Sequence, residues 1–211
     1  MENKVIVTIG RQFGSGGREV GKKLADVLGI GYYDKELMSI AAKESGLSED
    51  VFTKADERSS GGLAYALSMS YSYMGAFTPY PNILSNDGLF QLQSEAIRNL
   101  AERESCVLVG RCADYILRED PALISFFIHN NTENRIQRIV KDENITVEEA
   151  KELMVKTDKS RAAYYNYYTN KVWGMSSSYH FSIDVSVLGV DESITFISDL
   201  ITRKQNKIPY K

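Results

Sequence analysis

A chain of 211 residues can bury one sizeable α/β core, and two full domains would be crowded within it, so a single domain over residues 1–211 is expected. Its 43% hydrophobic and 25% charged content, with a formal net charge of -3, lacks the general positive field that draws nucleic acid polymers or anionic membranes. Any anion site must be assembled from local charge. Cys106 and Cys112 are the only cysteines, too few for a disulfide framework or a zinc site; the opening Met1-Glu2-Asn3-Lys4 lacks the apolar stretch of a signal peptide, and no segment has the length of a membrane span. A reduced, cytoplasmic setting is the expectation.

Val5, Ile6, Val7 and Ile9 read as a buried strand, Gly10 to Gly17 as a glycine-rich loop, and the following residues as a helix with Val20, Leu24, Val27 and Leu28 on one face. Glycines let a backbone turn present its amides, and the next helix adds unsatisfied N–H groups and the positive end of its dipole. This is a phosphate-binding layout, with a ligand-free glycine turn as the plainer alternative. Two standard fingerprints fit it only in part. With Gly16 on the second glycine of G-x-x-x-x-G-K-[ST], Arg11 falls on the first glycine, Gly17 on the lysine and Arg18 on the hydroxyl residue. Against the dinucleotide pattern G-x-G-x-x-G/A, Gly14 and Gly16 match, but Glu19 stands where a small residue is needed. Asp34 lies at roughly the ~20-residue distance at which an acidic group takes ribose hydroxyls.

Further along, residues 30–34 form a short second strand ending in Asp34, and residues 35–44 a helix closed by Gly46. Ser48 caps a short helix running to about Arg58. Residues 59–86 contain no Asp, Glu, Lys or Arg but several tyrosines, methionines and leucines, which suits either a packed excursion or part of an acceptor-binding lobe. The next helix begins at Asn86 and Asp87 and buries Leu89, Leu92, Ala96, Ile97 and Leu100.

Cys106 to Val109 is an unbroken apolar run, the pattern of a central parallel strand. Gly110-Arg111 ends it, which places Arg111 at a carboxyl strand end, where ligands of open parallel sheets bind. After a helix with Tyr115, Ile116 and Leu117 comes a fourth strand, Ile124 to Ile128, followed by His129 in a structural role. A helix capped by Thr132 carries Arg135 and Arg138 on one face. A second helix starts at the capping box Thr146-Val147-Glu148-Glu149 and places Asp158 and Arg161 one turn apart. A solvated charged hairpin is one reading; below a phosphate loop, a lid over transferring phosphates is the other. Tyr164, Tyr165, Tyr167 and Tyr168 are expected to pack the hairpin's base. A fifth strand, Phe181 to Asp184, and a helix with Ile194, Ile197, Leu200 and Ile201 complete the chain.

Taken together, IGRQFGSGGREVGKKLA, YYDKEL, CVLVGRCADYIL, the hairpin arginines and IDVSVLGVDESI resemble the cytidylate kinase-like family, a nucleoside monophosphate kinase branch of the P-loop kinases. The resemblance spans nearly the whole chain and is weakest over residues 59–86. It implies a five-stranded parallel α/β sheet in the order 2-3-1-4-5 flanked by helices, with an acceptor-binding lobe at about 35–100 and a helical lid at about 132–168. It also implies ATP and Mg2+ as cofactors, CMP or dCMP as acceptor, and small-molecule nucleotides as partners. Carried over, Gly14, Ser15, Gly16, Gly17 and Arg18 correspond to the donor phosphate loop and Arg111 to the grip on the acceptor phosphate. Asp34 corresponds to an acid near the acceptor sugar or base, Arg135, Arg138 and Arg161 to catalytic lid cations, and Asp158 to a group orienting Arg161 or the acceptor. The departures at Gly17 and Arg18 remove the loop's usual lysine and its magnesium-binding hydroxyl. Arg18 can restore the lysine's charge, while Ser15 is the nearest hydroxyl. Alternatives are a kinase of another small acceptor, a non-catalytic nucleotide-binding module and, more remotely, a dinucleotide oxidoreductase.

Overall fold

The computed structural model describes residues 4–45 and 86–205. Five parallel strands run β1 (Ile6–Arg11), β2 (Gly31–Tyr33), β3 (Cys106–Val109), β4 (Leu123–His129) and β5 (Phe181–Asp184), ordered β2-β3-β1-β4-β5 across the sheet. Ile6 pairs with Cys106 on one side and with Leu123 on the other, so β1 is the central strand. The helices are α1 (Gly17–Leu28), α2 (Glu36–Ser45), α3 (Asn86–Arg103), α4 (Ala113–Ile116), α5 (Thr132–Glu143), α6 (Val147–Thr169) and α7 (Val185–Gln205).

Strand alternation divides the core in two. Val5, Val7, Ile9, Val107, Val109, Phe126 and Ile128 face α1 and α7, where Val20, Leu24, Ile194, Ile197 and Ile201 meet them. Ile6, Leu108, Leu123 and Phe127 face the opposite side, against Ile97, Leu100, Leu117 and Tyr165. Both faces are therefore covered, which is why β3 reads as a continuous apolar run and β1 and β4 as runs broken only by Thr8 and Ser125 before their carboxyl ends. Among the described residues no helix is long and apolar enough to cross a membrane.

Local signals set most element ends. Gly29 closes α1 in a left-handed conformation, and Thr146 and Glu149 form the full reciprocal capping box of α6. Thr132 is not the cap of α5: Asn131 takes that position, its side chain accepting from the Asn134 N–H, and Thr132 becomes the first helical residue. Val27 is 64% exposed. Seven residues beyond Val20 it has drifted by about 20° of helical rotation, just past the edge of the buried arc. The short helix from Ser48 and the uncharged stretch 59–85 lie outside the described residues.

Three of the four tyrosines pack the base of the hairpin. Tyr168 stacks on Phe90 at 4.0 Å between ring centroids, Tyr164 meets Phe90 edge-on, and buried Tyr165 donates its hydroxyl to Asp114 Oδ2 at 2.7 Å. Tyr167 is 63% exposed.

Candidate active site

The loop between β1 and α1 is shaped by backbone that only glycine adopts easily. Gly14 and Gly16 have φ of 74° and 88°, and a Cβ on Gly14 would lie 2.8 Å from the Arg135 carbonyl oxygen. Ser15 is fully buried; its hydroxyl donates to the Gln12 carbonyl at 2.9 Å and accepts from the Gly17 N–H at 3.3 Å. From the neighbouring strand end, Asn130 donates its N–H to Gln12 Oε1 at 3.3 Å. No side chain caps α1, which begins at Gly17 after Gly16. Apart from the Gly17 N–H held by Ser15, the donors of its first turn are the groups a helix start leaves for an anion.

The α5–α6 hairpin grips this loop. Phe13 packs among Ile136, Ile139, Met154 and Leu153. Its carbonyl accepts from Arg135 Nε at 2.7 Å, its N–H donates to Asp158 Oδ1 at 2.8 Å, and Arg135 Nη2 pairs with Asp158 Oδ2. Buried Arg135 and partly buried Asp158 therefore hold both polar groups of a single loop residue. The Asp158 carboxylate faces Arg135 across Phe13, whereas Arg161, one turn on, points to the end of β1. Arg138 Nη1 donates to Glu19 Oε2 at 2.7 Å, and its guanidinium would stand 3.3 Å from a Cβ on Gly16. This hydrogen bond holds the Glu19 carboxyl below its ordinary range, with Lys23 adding to it.

Beyond the loop lies a cluster of arginines with fewer carboxylates. Asp34, just past β2, is 2.6 Å from Arg18 Nε and 3.5 Å from Arg11 Nη2. Arg161 donates to the Arg11 carbonyl at 3.2 Å and lies over the Phe13 ring. Arg111 follows β3 in a left-handed conformation, φ 60°, with its carbonyl accepting from Gln93 Nε2 at 3.2 Å. Burial pushes the Arg11 guanidinium down to about 10; Asp34 opposes this, while Arg18 and Arg111 add to it. Burial and then Arg11 push Arg161 down to about 9, with Asp158 opposing. Both remain cations at neutral pH. Arg11 and Arg18 share the one carboxylate of Asp34, and a bound anion would add to the charge that answers them.

The fold thus gathers Gly14 to Arg18, Asp34, Arg111, Arg138 and Arg161 at the carboxyl ends of β1, β2 and β3, with Arg135 and Asp158 behind the loop. Sequence reasoning passed over Arg11 as a pattern misfit. It emerges as the most enclosed cation of the cluster, and its signal was the glycine missing at position 11 together with the glycines at 17 and 110. A magnesium ion does not fit the loop's own donors. The Ser15 hydroxyl is fully buried and bonded inside the turn, and Arg18, at the usual hydroxyl position, pairs with Asp34. Among the described residues no three His, Cys, Asp or Glu side chains converge as metal ligands.

The chain is similar to the crystal structure of an uncharacterized protein from Eubacterium ventriosum, at 30% identity and a TM-score of 0.71 over 94% of this chain and 99% of that one. It shares its fold with shikimate kinase from Bacteroides thetaiotaomicron, at 14% identity and a TM-score of 0.54 over 94% and 98% of the two chains. It also shares it with a gluconokinase from Sinorhizobium meliloti, at 13% identity and a TM-score of 0.51 over 99% and 100%. No curated protein sequence matches. The fold is that of the P-loop kinases, the cytidylate kinase-like family profile matches residues 6–187, and the chain belongs to that family.

Proposed function

We propose that the protein transfers the terminal phosphoryl group of ATP to a nucleoside monophosphate, CMP or dCMP. The observation that carries this reading is the concentration of arginine beside the glycine loop: Arg11 and Arg18 share the Asp34 carboxylate, and Arg111 and Arg161 lie close to Arg11. Phosphoryl transfer asks mainly for positioning and for neutralisation of spread-out charge. An oxygen of the acceptor phosphate attacks the γ-phosphorus, the bond from that phosphorus to the β,γ-bridging oxygen breaks, and ADP leaves. The acceptor phosphate is already ionised, so no strong base is required.

In this scheme Gly14 to Arg18 receive the donor phosphates, Arg111 holds the acceptor phosphate, and Asp34 orients Arg18 toward the cleft. Residues 35–100 contribute to the acceptor lobe. The 132–168 hairpin is the lid, with Arg138 and Arg161 nearest the cleft and Arg135 and Asp158 fixing its seat on the loop. Shikimate kinase and gluconokinase share only the fold, so their acceptors do not carry over.

A second reading, nucleotide binding without turnover, is favoured by one observation: the loop has neither the lysine nor an available hydroxyl. The deciding measurement is ADP formation by purified protein with ATP, magnesium and a panel of nucleoside monophosphates and small hydroxyl acceptors. We expect turnover stimulated by CMP or dCMP. Nucleotide binding with no acceptor-stimulated turnover would replace the kinase by the binding module, and stimulation by a hydroxyl acceptor alone would reassign the substrate.

A further inference from the structure

Position 17, where the P-loop pattern has lysine, and position 11, where it has glycine, have exchanged residue types here. The two positions are in contact. A Cβ on Gly17 would lie 2.6 Å from Arg11 Cβ and 3.1 Å from its Cγ, so Arg11 excludes any side chain at 17. From there Arg11 runs across Gly110, where a Cβ would lie 2.0 Å from its Nη1, and reaches Asp34. Its course therefore takes the guanidinium from the start of α1 to the end of β3, between the loop and Arg111. The Nε–H is buried and has no hydrogen-bond partner among the described residues, while 14% of the side chain stays exposed. An enclosed cationic N–H without an acceptor is costly, and a chain that keeps one is poised to receive an acceptor from a ligand.

We infer that Arg11 takes over the charge of the missing loop lysine and binds the terminal phosphates of a nucleoside triphosphate, or of an inorganic polyphosphate, by reaching over Gly17 from the end of β1. This rests on the reading of the loop as a phosphate site, not on turnover. Lysine at 17 and arginine at 11 are alternative ways of putting one cation at the same place, and they are mutually exclusive because their side chains would overlap. With the Ser15 hydroxyl buried in the turn, Arg11 and Arg18 carry the loop's share of phosphate neutralisation.

The test is calorimetric titration of ATP and of tripolyphosphate, without magnesium, into the full chain, with thermal unfolding of every variant. Arg11→Met should weaken both ligands about ten- to hundredfold, the loss of one charge-assisted hydrogen bond, without lowering the melting temperature, since a purely structural arginine would lower it. Gly17→Lys alone should unfold at lower temperature and bind weakly because of the clash with Arg11. Arg11→Gly combined with Gly17→Lys removes the clash and restores a lysine, and should bind within about tenfold of the unaltered chain, the effect of ~1.4 kcal/mol. Undiminished binding by Arg11→Met, or a double variant that folds yet binds no better than Arg11→Met, would overturn the inference. Arg11-dependent binding with no turnover would sink the kinase reading alone. Turnover with Arg11-independent binding would sink this one alone, and an unaltered chain that binds neither ligand would sink both.

Discussion

Arg135 and Arg11 are both enclosed arginines beside a carboxylate, and they differ in what remains unmatched. Arg135 gives its Nε to the Phe13 carbonyl and its Nη2 to Asp158, whose other oxygen takes the Phe13 N–H. Arg11 shares Asp34 with Arg18, leaves its Nε without a partner among the described residues, and lies near two further arginines. The first arrangement closes on itself and fixes the loop to the hairpin. In the second, two arginines share one carboxylate, and a bound anion would add to the charge that answers them.

The largest expected effect lies at Arg135. Removing Arg135 strands the partly buried Asp158 charge and leaves the Phe13 carbonyl without its donor, so Arg135→Ala should destabilise the chain by about 2 to 4 kcal/mol, read as a lower urea midpoint at unchanged slope. A loss below about 1 kcal/mol, the range of exposed pairs, would show that the pair does not hold the loop. At the cleft, Arg111→Gly should lower CMP affinity about ten- to hundredfold in calorimetric titration, while glycine accepts the left-handed backbone there without the strain an arginine carries. Unchanged CMP affinity would remove Arg111 from the acceptor site.

Asp114 extends the comparison to a buried carboxylate that receives a tyrosine hydroxyl instead of a cation. Burial raises its pKa above the ordinary value of 3.8, against the opposing hydrogen bond from Tyr165. The folded chain therefore holds this proton more tightly than the unfolded one, and stability falls as pH rises from the unfolded pKa through the raised folded one. Asp114→Asn keeps an acceptor for Tyr165 without a titrating group. It should be the more stable form at neutral pH, by on the order of 1 kcal/mol, and lose that advantage below about pH 4. Denaturation midpoints across that range check the sign. Smallest is Arg138→Ala, which breaks a pair with Glu19 that is about one-third exposed on each side and should change stability by about 1 kcal/mol or less. The same substitution should weaken ATP binding if Arg138 works from the lid; unchanged binding would confine it to the surface.

Elements whose signal is local were legible in advance. The apolar run from Cys106 to Val109, the capping box at Thr146 and the glycines at 14 and 16 each carry their meaning within a few residues, and β3, α6 and the loop lie where they were expected. The near misses are local as well: Asn131 takes the cap expected at Thr132 because neighbouring polar residues compete for one position, and Val27 drifts out of the buried arc.

The sequence alone was enough for a glycine-rich loop at the end of a central strand of a buried parallel sheet, because strand periodicity and glycine placement depend on neighbouring residues. It also showed an arginine-rich remainder with no His or Cys constellation to support another chemistry. Which arginines are spent on the fold and which are left for a ligand was decided only in three dimensions. Asp158 lies 23 positions from Arg135, Asp34 lies 23 from Arg11, and spacing alone treats the two pairs alike. What separates them is Phe13 threaded between the first pair, and Gly17 and Gly110 opening a path for Arg11 toward a carboxylate it must share with Arg18. Charge balance depends on which groups the folded chain brings within a few ångströms, and that is a property of the packed sheet and not of any stretch of sequence.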